Sequence, residues 1–200
     1  MFSRPERLSK ETIDDNGWWK YKHEKFETES GEQGDYYYGQ TDGAVMIVPI
    51  LPNEKLGLVM QYRYISDCRS IEFPGGAVES ELGVEDSARA ELREETGFIP
   101  SDMTKIGTFQ PDSGMVDDLT HVFIAQIAEI REQKLEGNEQ IEVKQRRVDE
   151  FQDMVTRGEI SSGQTLAVWS LVSPYLYNLD PSENEMSSPG VKKILDKFFS

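Results

Sequence analysis

The sequence predicts an α/β domain: a mixed β-sheet with helices packed on it, preceded by a strand extension. Three observations lead there. Apolar, β-rich runs come early, "GAVMIVPIL" (43–51) and "LGLVMQYRY" (56–64). A helical stripe then interrupts them, with Val84, Ala88 and Leu92 recurring four apart. More strand patterns follow, and after them two more helical ones. The order strands, helix, strands, helices is that of a layered α/β domain.

The elements can be justified in turn. Residues 1–42 are polar with aromatic spikes at Trp18, Trp19, Tyr21, Phe26, Tyr36, Tyr37 and Tyr38. "ETESGEQGD" reads as a turn between two short strands there. "PNEK" (52–55) supplies turn residues between the two apolar runs, so they read as a hairpin. "SIEFP" is a short strand that leads into "GGAVES". The helix from Val84 ends before Gly97, the residue type that best takes the left-handed conformation just past a helix end. "KIGTFQ", "LTHVFIAQIAEI" and "IEVKQRRV" read as strands, with the polar loop "LEGNEQ" before the last. Helices are expected at 149–156 and 164–177. Residues 179–200 read as a breaker-rich linker and one short amphipathic helix.

Composition narrows the function classes. The net charge is -16 and no Lys/Arg cluster forms a basic stripe, so a nucleic-acid partner is not expected. No apolar run reaches the roughly 18 residues a membrane helix needs. The opening residues lack the apolar core of a signal peptide. One cysteine, Cys68, makes no internal disulfide. These features together favour the cytoplasm.

The chemistry centres on "ELREETGF" (91–98). Glu91, Glu94 and Glu95 stand at i, i+3 and i+4, on one helix face. They crowd the C-terminal turns, where the helix dipole disfavours negative charge. Carboxylates on one rigid face suit hard cations such as Mg²⁺ or Mn²⁺, which would cancel the repulsion. An ordinary solvated face is the alternative reading. Two glycines precede the helix in "PGGAVES", and adjacent glycines let a backbone approach a ligand closely.

Taken together, Gly76, Glu91, Leu92, Glu94, Glu95, Gly97 and Phe98 resemble, in order and spacing, the signature of the Nudix hydrolase family. The pattern departs at two places. Leu82 stands where the family has a glutamate, and Ala90 where it has an arginine. In the family these two brace the loop and orient the metal-binding glutamates. Arg89 or Arg93 is a candidate replacement.

The resemblance implies an α/β/α sandwich over 43–178, with 1–42 as an extension for dimerisation or base stacking. "VMQYRY", "IEFPGG", "GNEQIEV" and "GEISSGQTLAVWSL" are similar to the ADP-ribose and nucleoside-diphosphate-sugar pyrophosphatase branch. By that resemblance Glu91, Glu94, Glu95 and the Gly75 carbonyl hold the metal, Mg²⁺ or Mn²⁺, and Gly76 lines the substrate. Glu139 serves as general base, with Glu136 and Glu142 as rivals. Arg63 forks onto a phosphate, or else is a surface arginine with a salt-bridge partner. Trp19 and Tyr37 stack on a nucleobase, or else cover apolar surface. Asp117 and Asp118 reach metal or ribose. The expected partner is a second copy of the chain, in a homodimer.

The expected reaction is hydrolysis of the diphosphate linkage of ADP-ribose or a related nucleoside-diphosphate sugar. Two alternatives stay open. One is a module that binds a nucleotide sugar with little turnover, suggested by Leu82 and Ala90. The other is hydrolysis of nucleoside triphosphates.

Overall fold

The computed structural model of the protein describes residues 3–135, 137 and 139–177. The expected linker and C-terminal helix at 179–200 lie outside them, as does Glu136.

In chain order the elements are β1 (Glu6–Asp15), β2 (Lys20–Glu27), β3 (Gln33–Gln40), β4 (Ala44–Ile50), β5 (Leu56–Arg63), β6 (Cys68–Glu72) and β7 (Gly75–Ala77). Then come α1 (Val84–Thr96), β8 (Phe98–Phe109), β9 (Val116–Asp117), β10 (Thr120–Ile130), β11 (Ile141–Arg146), α2 (Val148–Thr156) and α3 (Gly163–Tyr177).

Among the described residues these strands form two sheets. The larger runs β11-β5-β4-β10-β8, with β6 paired to β5 and β7 to β4. It is mixed, because β4 and β10 run parallel while the other pairs are antiparallel. Strand alternation divides its side chains between two cores. Met46, Val48, Leu56, Leu58, Val122 and Ile124 face α2 and α3, where Phe151, Met154, Val168, Trp169 and Val172 meet them. Val45, Ile47, Phe123, Ala125 and Ile127 face the other way, onto Ala88 and Leu92 of α1. The molecule is therefore an α/β/α sandwich. The smaller sheet, β1-β2-β3-β9, joins three strands from before residue 42 to the two-residue β9.

Several expectations needed correction. The β4–β5 hairpin closes with a single residue pair, Ile50 with Leu56. Beyond it the strands part, because β4 is claimed by β10 and β7, and β5 by β11 and β6. β1 is a strand where the sequence shows only polar chain: its residues do not alternate between apolar and polar, and all ten are exposed. β8 starts directly after Gly97, well before "KIGTFQ". Its breaker-rich first half, with Pro100 and Asp102, pairs with β10 across register shifts near Gln126, Ile127 and Glu129.

Candidate active site

α1 presents the glutamates over the loop that precedes it. Leu92 and Ala88 are fully buried and anchor one side of the helix in the core. That orientation leaves Glu91 half-buried, Glu94 partly exposed and Glu95 buried. Gly97 ends the helix in the left-handed region, at φ 72, and donates its N–H to the Arg93 carbonyl.

The loop holds two of the three carboxylates. The Gly75 N–H donates to Glu95 Oε2 at 2.8 Å. Gly76 lies against the Glu91 carboxylate so closely that a β-carbon there would overlap it. A side chain at 76 would have to push that carboxylate aside.

Glu95 carries the strongest electrostatic signal. Burial pushes its carboxyl up to about 8. The charges of Glu91 and Glu139 add to this, while the Gly75 N–H and Arg63 oppose it. At neutral pH the group therefore holds its proton unless a cation arrives. That is the behaviour of a site short of positive charge. Among the described residues no three acidic, histidine or cysteine side chains make a ready cage for an ion. The donors are all oxygens, and the set needs backbone carbonyl, water and ligand oxygens to complete it. This suits a hard ion that keeps several waters and takes phosphate oxygens, such as Mg²⁺. In that chemical sense the residues fit a divalent cation.

The remaining candidates are placed unequally. Glu139 arrives from the loop between β10 and β11, close enough for its charge to act on Glu95. Its rival Glu142 is exposed and paired with Lys144 at 2.6 Å. Arg63 makes a forked pair with Glu72, Nε at 2.9 Å and Nη2 at 2.5 Å, and its charge also reaches Glu95. The salt-bridge partner that was the alternative reading is therefore present. Tyr37 lies on β3 of the smaller sheet and Trp19 in the turn before β2, and Trp19, Tyr21, Tyr37 and His23 stack in a ladder. Asp117 accepts a hydrogen bond from Gln40 at 2.7 Å, tying it to the same sheet.

Three features escaped the sequence. The first is the clamp on the C-terminal end of α1. Lys134 N–H donates to the Glu94 carbonyl at 2.9 Å, Arg131 N–H to that of Gly97 at 2.8 Å, and the Gln133 amide to that of Glu95 at 2.5 Å. These contacts satisfy helix-end carbonyls and hold the chain that carries Glu139. The second is Ser87, which braces the loop where Leu82 and Ala90 break the family pattern. Its buried hydroxyl accepts from the Glu79 N–H at 2.9 Å and donates to the Gly83 carbonyl at 2.7 Å. Neither arginine expected in that role takes it: Arg89 pairs with Glu85 at 2.8 Å, and Arg93 sits 3.8 Å from Glu94. The third is Glu72, whose signal in "SIEFP" was a lone acid in an apolar strand.

Comparison with known proteins agrees with this architecture. A protein of known structure titled "Crystal structure of ADP compounds hydrolase" superposes with a TM-score of 0.77 at 22% identity, over 90% of this chain and 98% of that one. ADP-ribose pyrophosphatase of Bacillus subtilis is 30% identical over 125 residues, 62% of this chain and 68% of that protein. CMP-5'-(N-acetyl-N-hydroxy-3-aminopropyl)phosphonate hydrolase of Streptomyces rubellomurinus is 27% identical over 147 residues, 73% of this chain and 71% of that protein. Enzymes of this kind generally work with divalent metal ions. The glutamate helix, its glycine loop and the sheet beneath them all fall within residues 41–167, which match the NUDIX domain model, and the chain is a member of the Nudix hydrolase family.

Proposed function

We propose that the protein hydrolyses the diphosphate linkage of ADP-ribose or a related nucleoside-diphosphate sugar, using Mg²⁺, to give a nucleoside monophosphate and a sugar phosphate. The observation that carries this reading is Glu95, a buried carboxyl raised to about 8, within reach of the charges of Glu91, Glu139 and Arg63. Acids gathered at a cation-hungry position, with a guanidinium near enough for its charge to be felt there, match a metal-bridged diphosphate.

Glu91, Glu94, Glu95 and the Gly75 carbonyl are the proposed metal ligands. A divalent ion held there supplies charge to offset the diphosphate oxygens and lowers the pKa of a bound water. Glu139 takes the proton from the attacking water, a role that needs hydrogen-bond reach of that water. As the new P–O bond forms the anhydride P–O bond breaks, and the electron pair leaves with the second phosphate. Gly76 keeps the loop open beside the reacting group. Arg63 contacts the diphosphate, and Trp19 and Tyr37 stack on the base.

The stacking role asks for a second copy of the chain, since those rings lie on the separate sheet. β1 is exposed along its whole length, and Trp18, Trp19, Tyr21, Tyr36 and Tyr37 are exposed on β2, β3 and the turn before β2. So much aromatic surface on a thin sheet favours a homodimer through residues 1–42. Localisation in the cytoplasm goes with this reading; no helix among the described residues is long and apolar enough to cross a membrane.

The test is purified protein with Mg²⁺ and a panel of nucleotides, scored by product mass. AMP and ribose phosphate from ADP-ribose support the proposal. Tight binding without products indicates a sensing module instead. Inorganic pyrophosphate from a triphosphate, with ADP-ribose untouched, replaces it with the triphosphate reading.

A further inference from the structure

Glu72 is the most deeply buried carboxylate of the sheet, 3% exposed. Two neighbouring strands dictate where it points. Ile71 packs toward α2 and α3, so alternation sends Glu72 to the opposite face, where α1 and its glutamates lie. On β5, Leu56 and Leu58 also face α2 and α3, and the same count of two puts Arg63 on the α1 face. The two side chains meet across the β5–β6 hairpin in a two-pronged pair, Nε to Oε1 at 2.9 Å and Nη2 to Oε2 at 2.5 Å.

The pair is lopsided. The Arg63 side chain is 47% exposed, whereas that of Glu72 is 5% exposed. Burial raises the Glu72 carboxyl, but hydrogen bonds from Arg63 and Ser70 outweigh it and hold the group ionised. Arg63 cannot swing away to meet a ligand, because it would leave a buried carboxylate uncompensated. With Nε and Nη2 occupied, the guanidinium plane is set, and Arg63 and Glu95 are close enough for their charges to act on each other.

We infer that Glu72 is a positioning residue: it holds the Arg63 guanidinium in one orientation so that its open edge meets the diphosphate. This rests on the diphosphate reading above. The acid touches no substrate. It fixes a planar donor before the ligand arrives, which removes a rotamer cost from binding. Its loss therefore shows mainly in KM.

The experiment compares the full chain with Glu72→Gln, Arg63→Lys and the double variant, each checked for folding by circular dichroism. Glu72→Gln raises KM for ADP-ribose about tenfold, the usual loss for a hydrogen bond to a charged group, with the smaller share of the effect in kcat. Arg63→Lys gives a comparable rise, since an ammonium cannot fork. The double variant is no worse than the worse single one. A folded Glu72→Gln enzyme with wild-type KM, or losses that multiply in the double variant, overturns the inference. Should Glu72→Gln fail to fold, Glu72→Met decides the matter in the same way, because it removes the buried charge at similar volume. Should the wild-type protein leave ADP-ribose intact, the substrate reading falls separately. Calorimetric binding of inorganic pyrophosphate with Mg²⁺ then judges Glu72: about tenfold weaker binding in the variant sustains the inference and equal binding ends it.

Discussion

Glu95 sets the behaviour of the site at the scale of one residue. Its ordinary value is 4.5 and its folded value about 8. Between these the folded chain keeps a proton that the unfolded chain has lost, so folding stability falls as pH rises from 4.5 through about 8. Melting curves of the metal-free protein across that window should show the decline, and Glu95→Gln should flatten it. Binding of Mg²⁺ near pH 7 should release protons, measurable as a buffer-dependent heat. Turnover by Glu95→Gln or Glu94→Gln should fall by about a hundredfold or more while the fold persists; near-normal rates in both would place the metal elsewhere. Gly76→Ala puts a methyl group into the Glu91 carboxylate. It should weaken Mg²⁺ activation while leaving the melting temperature nearly unchanged, because the displaced carboxylate has solvent to move into.

Elements are joined at a few points that carry more than their share. α1 ends on Gly97, whose positive φ and contact with the Arg131 carbonyl both exclude a side chain. Gly97→Ala should lower stability by about 1–3 kcal/mol in chemical denaturation. It should also reduce activity, since the same junction seats the loop that carries Glu139. In the smaller sheet, His23 is held between Glu11 at 2.7 Å and Asp35 at 2.6 Å, with Tyr37 stacked on its ring at 4.4 Å. Hydrogen bonds to Glu11 and Asp35 raise its pKa above the ordinary 6.5. The clamp on β1, β2 and β3 is therefore complete below pH 6.5 and is lost as pH rises through the raised folded value. Protection of the β1 amides, measured against the intrinsic exchange rate at each pH, should fall as pH rises above 6.5 through that raised value in the wild type, and His23→Gln should make it low at every pH. A wild-type profile without that step would remove the role given to the imidazolium.

The molecule as a whole divides between a sandwich that owns its core and a sheet that owns almost none. Every buried apolar residue lies at Val45 or beyond among the described residues. A chain beginning at residue 41 should therefore unfold cooperatively, and on the dimer proposed above it should run as a monomer in light scattering where the full chain should run as a dimer. It should also lose affinity for the nucleoside part of the substrate. A full-length monomer would contradict the assignment of residues 1–42 to the interface.

Local pattern in the chain already contained the helix at Val84–Thr96, its glycine stop, the spacing of Glu91, Glu94 and Glu95, and the strands with a buried face. These follow from periodicity and turn chemistry, which act over a few residues. Folding alone brought Glu139 to Glu95, turned Arg63 onto Glu72, and set Ser87 under the loop that Leu82 and Ala90 leave unbraced. Each of those joins residues whose proximity depends on strand order and on which face a strand presents. A sheet settles that by which edges pair, and neighbours along the chain carry no record of it.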